Sequence, residues 1–432
     1  LSGQNRPKVG LALSGGGAKS MAQLGALRVI EQSGIKIDYI SGTSMGAVIG
    51  AMYAMGYTVD EIEFYLKKVN WDELMSNDIP RNRLPYLNKD DEKYLLNIGI
   101  KDGKFMLPKA FNYGHYMLKV LSYLTMRSHD VKDFSTLSIP FLCMTTDLET
   151  GQSIALESGN LTDALRASVA FPSIFAPGEI DGRLYVDGGV RNNLPIAILK
   201  DEKLMDFVIA IDVQGKLYNN EELDGIIEVL EQVGSFQNAL YFEEQKEKAD
   251  VMIRPAIDEF DIDDYQLTDT IIKRGYRESL IYLEQLRSVA EKQGEISPAR
   301  PSGIATPLQI FPVDSIFVYG VPEKQAQLAL GKLHLKKVGE YSLENLDRGI
   351  DFLYGSKVYD KANFQYKTLN NKKTAVFELR EKSTRHGLRF GLHYDDDFSI
   401  ALLTNYTMLN AGLPNSTLKI DFALSENPRA SA

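Results

Sequence analysis

Ser44 stands in the pentapeptide Gly42-Thr43-Ser44-Met45-Gly46, directly after an apolar run that reads as a strand and directly before one that reads as a helix. This is the setting in which G-x-S-x-G acts as a nucleophile elbow. The tight turn leaves no room beside the serine, so glycines flank it and its hydroxyl projects above the carboxyl edge of the sheet. The N-terminus of the following helix favours developing negative charge at that point. A second glycine run, Ser14-Gly15-Gly16-Gly17-Ala18-Lys19, fills another strand-to-helix turn. Acyl transfer to a serine passes through a tetrahedral oxyanion, and losing one preorganised donor to it costs roughly 10²–10³ in turnover. The backbone N–H groups of Gly15, Gly16 and Gly17, with that of Met45 beside the nucleophile, are the candidate donors.

The glycine run has two rival readings. A phosphate-binding P-loop needs glycine just before its lysine and again five residues earlier, where this chain has Ala18 and Leu13, so that reading fails. A dinucleotide fingerprint would use Gly15 and Gly17 with Ser20 as the third small residue and Asp38 as the acidic partner. That nearly fits, but it leaves the second turn at Ser44 without a purpose, which favours a hydrolase.

A serine nucleophile needs a base. The five histidines are His115, His129, His334, His386 and His393. None falls where the Ser-Asp-His order of the α/β-hydrolases would place it, after the candidate aspartate and inside the same domain. A carboxylate is therefore expected to act directly on the serine, with His115 and His129, expected as surface or core residues, left open as the alternative. Asp187 closes Leu184-Tyr185-Val186-Asp187-Gly188-Gly189, a strand running into glycines, and so can reach the same sheet edge. Partial desolvation there would make it a stronger base than in water. Asp147 and Asp212 also end strands, and a structural hydrogen-bonding role is the better expectation for both.

Three ordered motifs, Gly15-Gly16-Gly17-Ala18-Lys19, Gly42-Thr43-Ser44-Met45-Gly46 and Asp187-Gly188-Gly189, resemble those of the patatin-like phospholipases. Arg166-Ala-Ser-Val-Ala-Phe-Pro172 and Asn192-Asn193-Leu194-Pro195 strengthen the likeness, which covers roughly residues 7–290. Ser20 departs from it, because the family usually has a further glycine there. The resemblance implies a Ser44–Asp187 dyad without histidine that cleaves acyl esters of lipids, with Lys19, Gly42, Gly46, Gly188 and Gly189 supporting the motifs.

Residues 1–297 alternate strand-like and helix-like segments, the pattern of an α/β/α domain with a mostly parallel sheet. Strands are expected at 8–14, 35–40, 140–146, 183–186, 207–213 and 251–254. Helices are expected at 18–33, 45–55, 223–248 and 268–293. Between Trp71 and His129 the pattern is irregular and aromatic, fitting either an acyl pocket or lid near the site or ordinary core helices. The proline-rich stretch 298–312 reads as a linker.

Beyond it, residues 313–382 read as strand-helix-helix-strand-strand, an order that resembles a POTRA domain. From 383, Leu388, Phe390, Leu392 and Tyr394 alternate with polar or small residues, as in strands of an outer-membrane barrel. Three such strands cannot close a barrel, so they are expected to be the beginning of a larger one. Patatin, POTRA and barrel in that order resemble bacterial surface or secreted phospholipases, which implies an outer-membrane, cell-surface or secreted location and a membrane surface as partner. A small accessory domain with a β tail is the alternative.

The 432-residue chain carries a formal net charge of −10, which argues against nucleic acid as a partner. Its single cysteine, Cys143, lies in an apolar strand-like run and reads as an inert core thiol. No stretch approaches the ~20 apolar residues of a membrane helix. The sequence starts at Leu1, which fits a removed leader or a shortened chain. No metal or other cofactor is implied, since Asp261, Asp263 and Asp264 lack the spacing of a calcium loop. Homo-oligomerisation is left open. The leading expectation is thus a phospholipase A-type serine esterase. Its main competitor is an outer-membrane transport or assembly protein with a degenerate lipid-binding module, and a dinucleotide enzyme follows.

Overall fold

The structure is a computed structural model that describes residues 6–76, 79–106, 112–172, 174–221, 223, 225–294, 310–333, 338–395, 399–412, 416–425 and 428–431. It divides into two compact units, Leu1–Met75 with Val120–Ala305, and Ser76–Lys119 with Thr306–Ala432. The linker expected at 298–312 lies outside the described residues except for its last three.

In the first unit the strands Val251–Ile253, Phe207–Ile211, Val9–Leu13, Tyr39–Thr43 and Phe141–Asp147 lie side by side and parallel. The remaining strands, Ser153–Leu156, Arg183–Asp187 and Gly178–Ile180, join by antiparallel pairing at the far side. A mostly parallel sheet was expected; two short strands, 153–156 and 178–180, were not. The parallel strands are buried over nearly all of their length and are dominated by apolar residues. Cys143 sits in one of them, fully buried, and its burial pushes the thiol pKa up.

Both faces of the sheet are covered. The helix Ser44–Ala54 lies against Leu13, Ile40 and Phe141, where Gly50 lets it come close. Residues of the other face, Ala12, Leu142, Met144, Val208 and Ala210, pack with Leu194, Ile196, Leu199 and Phe242. The helix Ala22–Ser33 ends at Gly34, whose φ of 80° is the left-handed cap that glycine adopts without strain. The long helix expected at 268–293 is two helices, Thr268–Ser279 and Leu283–Gln293, separated by a 3-10 turn.

The second unit holds a three-stranded sheet in which Lys372–Glu381 pairs in parallel with Ser315–Tyr319 and antiparallel with Tyr359–Leu369. Helices Glu323–Lys332 and Leu343–Gly355 lie between the first and second of these strands in sequence. A short strand pair, Ile310–Val313 with Gly339–Ser342, was not expected. The strands His386–Asp395, Ser399–Leu409 and Thr417–Leu424 form an antiparallel meander. On one side Leu392, Tyr394, Ile400 and Leu402 are exposed, while Arg389, Asn405 and Thr407 are buried on the other. This sheet is open among the described residues.

The segment 71–129, read from sequence as a lid or as core helices, is divided between the units. Residues 76–119 belong to the second one. Their strand Leu96–Lys101 pairs with His386–Asp395 and is followed by a hairpin partner, Lys104–Met106. Arg83 and Lys119 from the same segment grip the fully buried Asp351, at 2.6 Å and 3.0 Å, and His115 stacks on Tyr354. Burial alone would raise the Asp351 pKa. The hydrogen bond of His115, the charge of Lys119 and the hydrogen bond of Arg83 outweigh it and hold the carboxyl down at about 2.

Candidate active site

Strand register brings the serine and the aspartate to one level. Thr43 is paired with Met144 across one strand boundary, and Thr145 with Asp187 across the next. Because Arg183–Asp187 runs antiparallel to its neighbour, its carboxyl end returns to the height at which Tyr39–Thr43 gives way to Ser44. The chain then turns at once through Gly188, where a β-carbon would lie 2.5 Å from Met144 O.

Ser44 is the first residue of its helix and has φ 52°, a left-handed conformation that costs a non-glycine residue about 1–3 kcal/mol. Its neighbours allow that turn. A β-carbon on Gly42 would meet Ala47 Cα at 2.7 Å, and one on Gly46 would collide with Ser14 O. The strained backbone aims the side chain at the aspartate: Ser44 Oγ donates to Asp187 Oδ2 at 2.6 Å. The other carboxylate oxygen accepts from Gly189 N at 2.7 Å. Asp187 is 2% exposed, and that burial lifts its pKa to about 6, against the lowering effect of the Ser44 and Gly189 hydrogen bonds. A carboxylate poised there is ionised at neutral pH yet basic enough to draw a proton from a hydroxyl.

The glycine run crosses directly in front of the serine. A β-carbon on Gly15 would lie 2.9 Å from Ser44 Cβ, and one on Gly16 2.9 Å from Val213 O. Gly17 has φ 53°, and a side chain there would strike Ile262 O. The three expected donors are not equivalent. The Gly15 N–H is already given to Asn193, to its carbonyl at 3.2 Å and its side-chain Oδ1 at 3.1 Å. The Gly15 N–H, expected from sequence as an oxyanion donor, is thus engaged by Asn193 in this structure, while the residue lies hard against Ser44. Gly16 and Gly17 lie at the start of the 3-10 turn Gly17–Met21, and Met45 is in the first turn of its helix, where N–H groups lack intrahelical partners. Lys19, in that same 3-10 turn, is largely buried, and its Nζ would lie 3.9 Å from a β-carbon on Gly215.

The competing carboxylates hold turns instead. Asp147 Oδ1 accepts from Glu149 N and Thr150 N, and Asp212 Oδ1 from Gln214 N. His129 is bonded to Met126 O, and His115 belongs to the Asp351 cluster of the other unit. His334 lies outside the described residues. Asp38, the acidic residue a dinucleotide site would need, is engaged by Arg6 and by Val9 N at 2.9 Å. Among the described residues no group of His, Cys, Asp and Glu is arranged to hold a metal.

Two residues matter here to which the sequence assigned no role. Ser168 Oγ accepts the Ser44 N–H, and Asn193 holds Gly15. Both stand in the auxiliary motifs at 166–172 and 192–195, but neither motif indicates which atom its residue would bind.

Residues 11–200 match the family model described as Patatin-like phospholipase. The chain is 30% identical over 215 residues to an uncharacterized NTE family protein of Mycobacterium bovis, covering 50% of this chain and 51% of the relative. It is 29% identical over 205 residues to the lysophospholipase NTE1 of Phaeosphaeria nodorum, covering 48% of this chain and 12% of that protein. The chain thus spans about half the length of the mycobacterial relative and far less of the fungal one. The crystal structure of VipD from Legionella pneumophila aligns over 65% of this chain and 67% of its own, at 13% identity and a TM-score of 0.36. Ser44, the glycine loop and Asp187 all fall inside the segment 11–200 that matches this family model.

Proposed function

We propose that this protein is a lipid acyl hydrolase of phospholipase A type, a serine esterase working through a Ser44–Asp187 dyad. The observation that carries the reading is the direct 2.6 Å hydrogen bond from Ser44 Oγ to Asp187 Oδ2 at a strained strand-to-helix turn. The patatin-like match and the lysophospholipase relatives support an acyl-lipid substrate. In the first half-reaction Asp187 takes the hydroxyl proton as Ser44 Oγ attacks the ester carbonyl carbon. The N–H groups of Gly16, Gly17 and Met45 receive the oxyanion. Collapse of the tetrahedral intermediate breaks the ester C–O bond, and Asp187 returns the proton to the leaving alcohol. Water, deprotonated by the same carboxylate, then hydrolyses the acyl-enzyme. None of these steps calls for a metal or cofactor.

The C-terminal unit is read as a POTRA-like module followed by the first strands of an outer-membrane barrel. The mixed three-stranded sheet and the exposed apolar face at Leu392, Tyr394, Ile400 and Leu402 support this. On that reading the enzyme works at a bacterial outer membrane, on the cell surface or after secretion, with a membrane surface as partner. The test is incubation of the purified chain with phosphatidylcholine vesicles and mass spectrometry of the products. Lysophospholipid and free fatty acid from wild type, and neither from Ser44→Ala, are expected. Vesicles left intact by the wild-type chain would sink the reading.

A further inference from the structure

We propose that Asn193 is a positioning residue that sets the oxyanion loop against the catalytic pair, through a relay of amides shared with Gln214 and Asn238. This rests on the dyad reading and names a residue that acts through it. The Asn193 carbonyl and Oδ1 both accept the Gly15 N–H. Its Nδ2 donates to Gln214 Oε1 at 3.3 Å and is 3.4 Å from Gly15 O. Behind it, Asn193 N donates to Asn238 Oδ1 at 2.8 Å, and Asn238 Nδ2 donates to the same Gln214 Oε1 at 3.0 Å. Through its side chain and its backbone N–H together, Asn193 therefore links the turn after Asp187 to the glycine loop, the exit of the strand Phe207–Ile211, and the helix Ile226–Gln245.

The placement is fixed before substrate arrives. The turn carrying Asn193 is tied to the nucleophile strand by Thr43 Oγ1 to Asn192 O at 3.0 Å and by Ser41 Oγ to Pro195 O at 2.8 Å. It is tied to the helix through Gln245, whose Nε2 donates to Asn192 Oδ1 at 2.8 Å. Asn193 Oδ1 itself is wedged between the two loops that do the chemistry. It would lie 2.5 Å from a β-carbon on Gly15 and 2.9 Å from one on Gly189, the residue whose N–H holds Asp187.

Two consequences follow. The Gly15 N–H is drawn backward, and the loop presents the amides of Gly16 and Gly17 instead. The acceptor beside both the oxyanion and the base must also be neutral. A carboxylate at position 193 would keep the bond to Gly15 N–H but bring like charge towards Asp187 and towards the developing oxyanion.

The test compares Asn193→Ala, Asn193→Asp and Asn238→Ala in the full chain. Amide exchange over residues 12–21 and the pH dependence of p-nitrophenyl butyrate hydrolysis are the readouts. In Asn193→Ala exchange at the loop speeds up, and kcat drops by roughly 10²-fold with KM within about twofold. Asn193→Asp keeps the loop protected but moves the midpoint of the rate profile to higher pH. Asn238→Ala, which leaves the Asn193 side chain in place, gives a smaller change in the same direction and covers the case in which Asn193→Ala does not fold. Unchanged loop exchange in Asn193→Ala, or a rate midpoint unmoved by Asn193→Asp, would overturn the proposal. A wild-type chain that hydrolyses no ester would instead remove the dyad reading, and loop exchange would still decide the role of Asn193.

Discussion

Ser168 Oγ accepts the N–H of Ser44 at 3.0 Å and donates its own proton to Met144 O at 2.7 Å. The hydroxyl thus ties the strained first residue of one helix directly to the middle of the adjacent strand. Ser44 at φ 52° persists only if its surroundings over-determine it, and this bond is one of the restraints. Replacing Ser168 with alanine leaves the Ser44 N–H and the Met144 carbonyl without it. A loss of about 1–3 kcal/mol in stability is expected, with a roughly tenfold or greater fall in kcat from the loosened nucleophile. Chemical denaturation and ester hydrolysis measured on the same preparation check both.

The rate should depend on the ionisation of Asp187. Burial raises its pKa to about 6, and in the proposed dyad only the carboxylate form would take the Ser44 proton. The acid limb of kcat/KM is therefore expected to rise through about pH 6 with unit slope and to flatten above it. A midpoint near that of an ordinary aspartate would contradict the buried, desolvated base.

The same burial has a cost in stability whose sign is fixed. Asp187 binds its proton more tightly folded, at about 6, than unfolded, at 3.8. Stability linked to this group is fully present below the unfolded value and is lost as pH rises through the folded one. At neutral pH the charged form costs about 3 kcal/mol. Asp187→Asn should accordingly stabilise the first unit by about 1–3 kcal/mol near pH 8, with the gain vanishing near pH 4. Amide exchange in the strand Phe141–Asp147 at the two pH values measures it. The variant is expected to be more stable and inactive.

The elements that carry the site were legible because they are short, mostly apolar runs, and those that lead into the glycine loop and out of Asp187 are stopped by glycine. The stretches 8–14, 140–146 and 207–213 could hardly be anything but buried strands, and Gly42, Gly46 and Gly188 mark where the chain must turn. Ser44 and Asp187 stood out because both sit at those punctuation points. The roles of Ser168 and Asn193 did not, since their partners Ser44 and Gly15 lie 124 and 178 residues away in sequence, and nothing local encodes such a bond. The segment 96–106 was obscure for a related reason. Its short strands take their pairing from His386–Asp395, a partner far beyond any local periodicity.

In the second unit the cluster at Asp351 should dominate local stability. Its carboxylate is fully buried and answered by Arg83, Lys119 and His115. Asp351→Asn removes the one negative charge that all three contact, and breaking a buried pair in this way costs about 3–5 kcal/mol. Proteolysis and amide exchange over the helix Leu343–Gly355 should show it opening at lower denaturant.

The most direct test of the Ser44–Asp187 dyad is covalent labelling by a fluorescent fluorophosphonate, comparing wild type with Ser44→Ala and Asp187→Asn in buffer and in mixed micelles. The expected result is labelling of wild type, with the adduct on the peptide containing Ser44, and none of either variant. Labelling of Ser44→Ala at the wild-type rate, or a folded wild-type chain that stays unlabelled in both media, would contradict it.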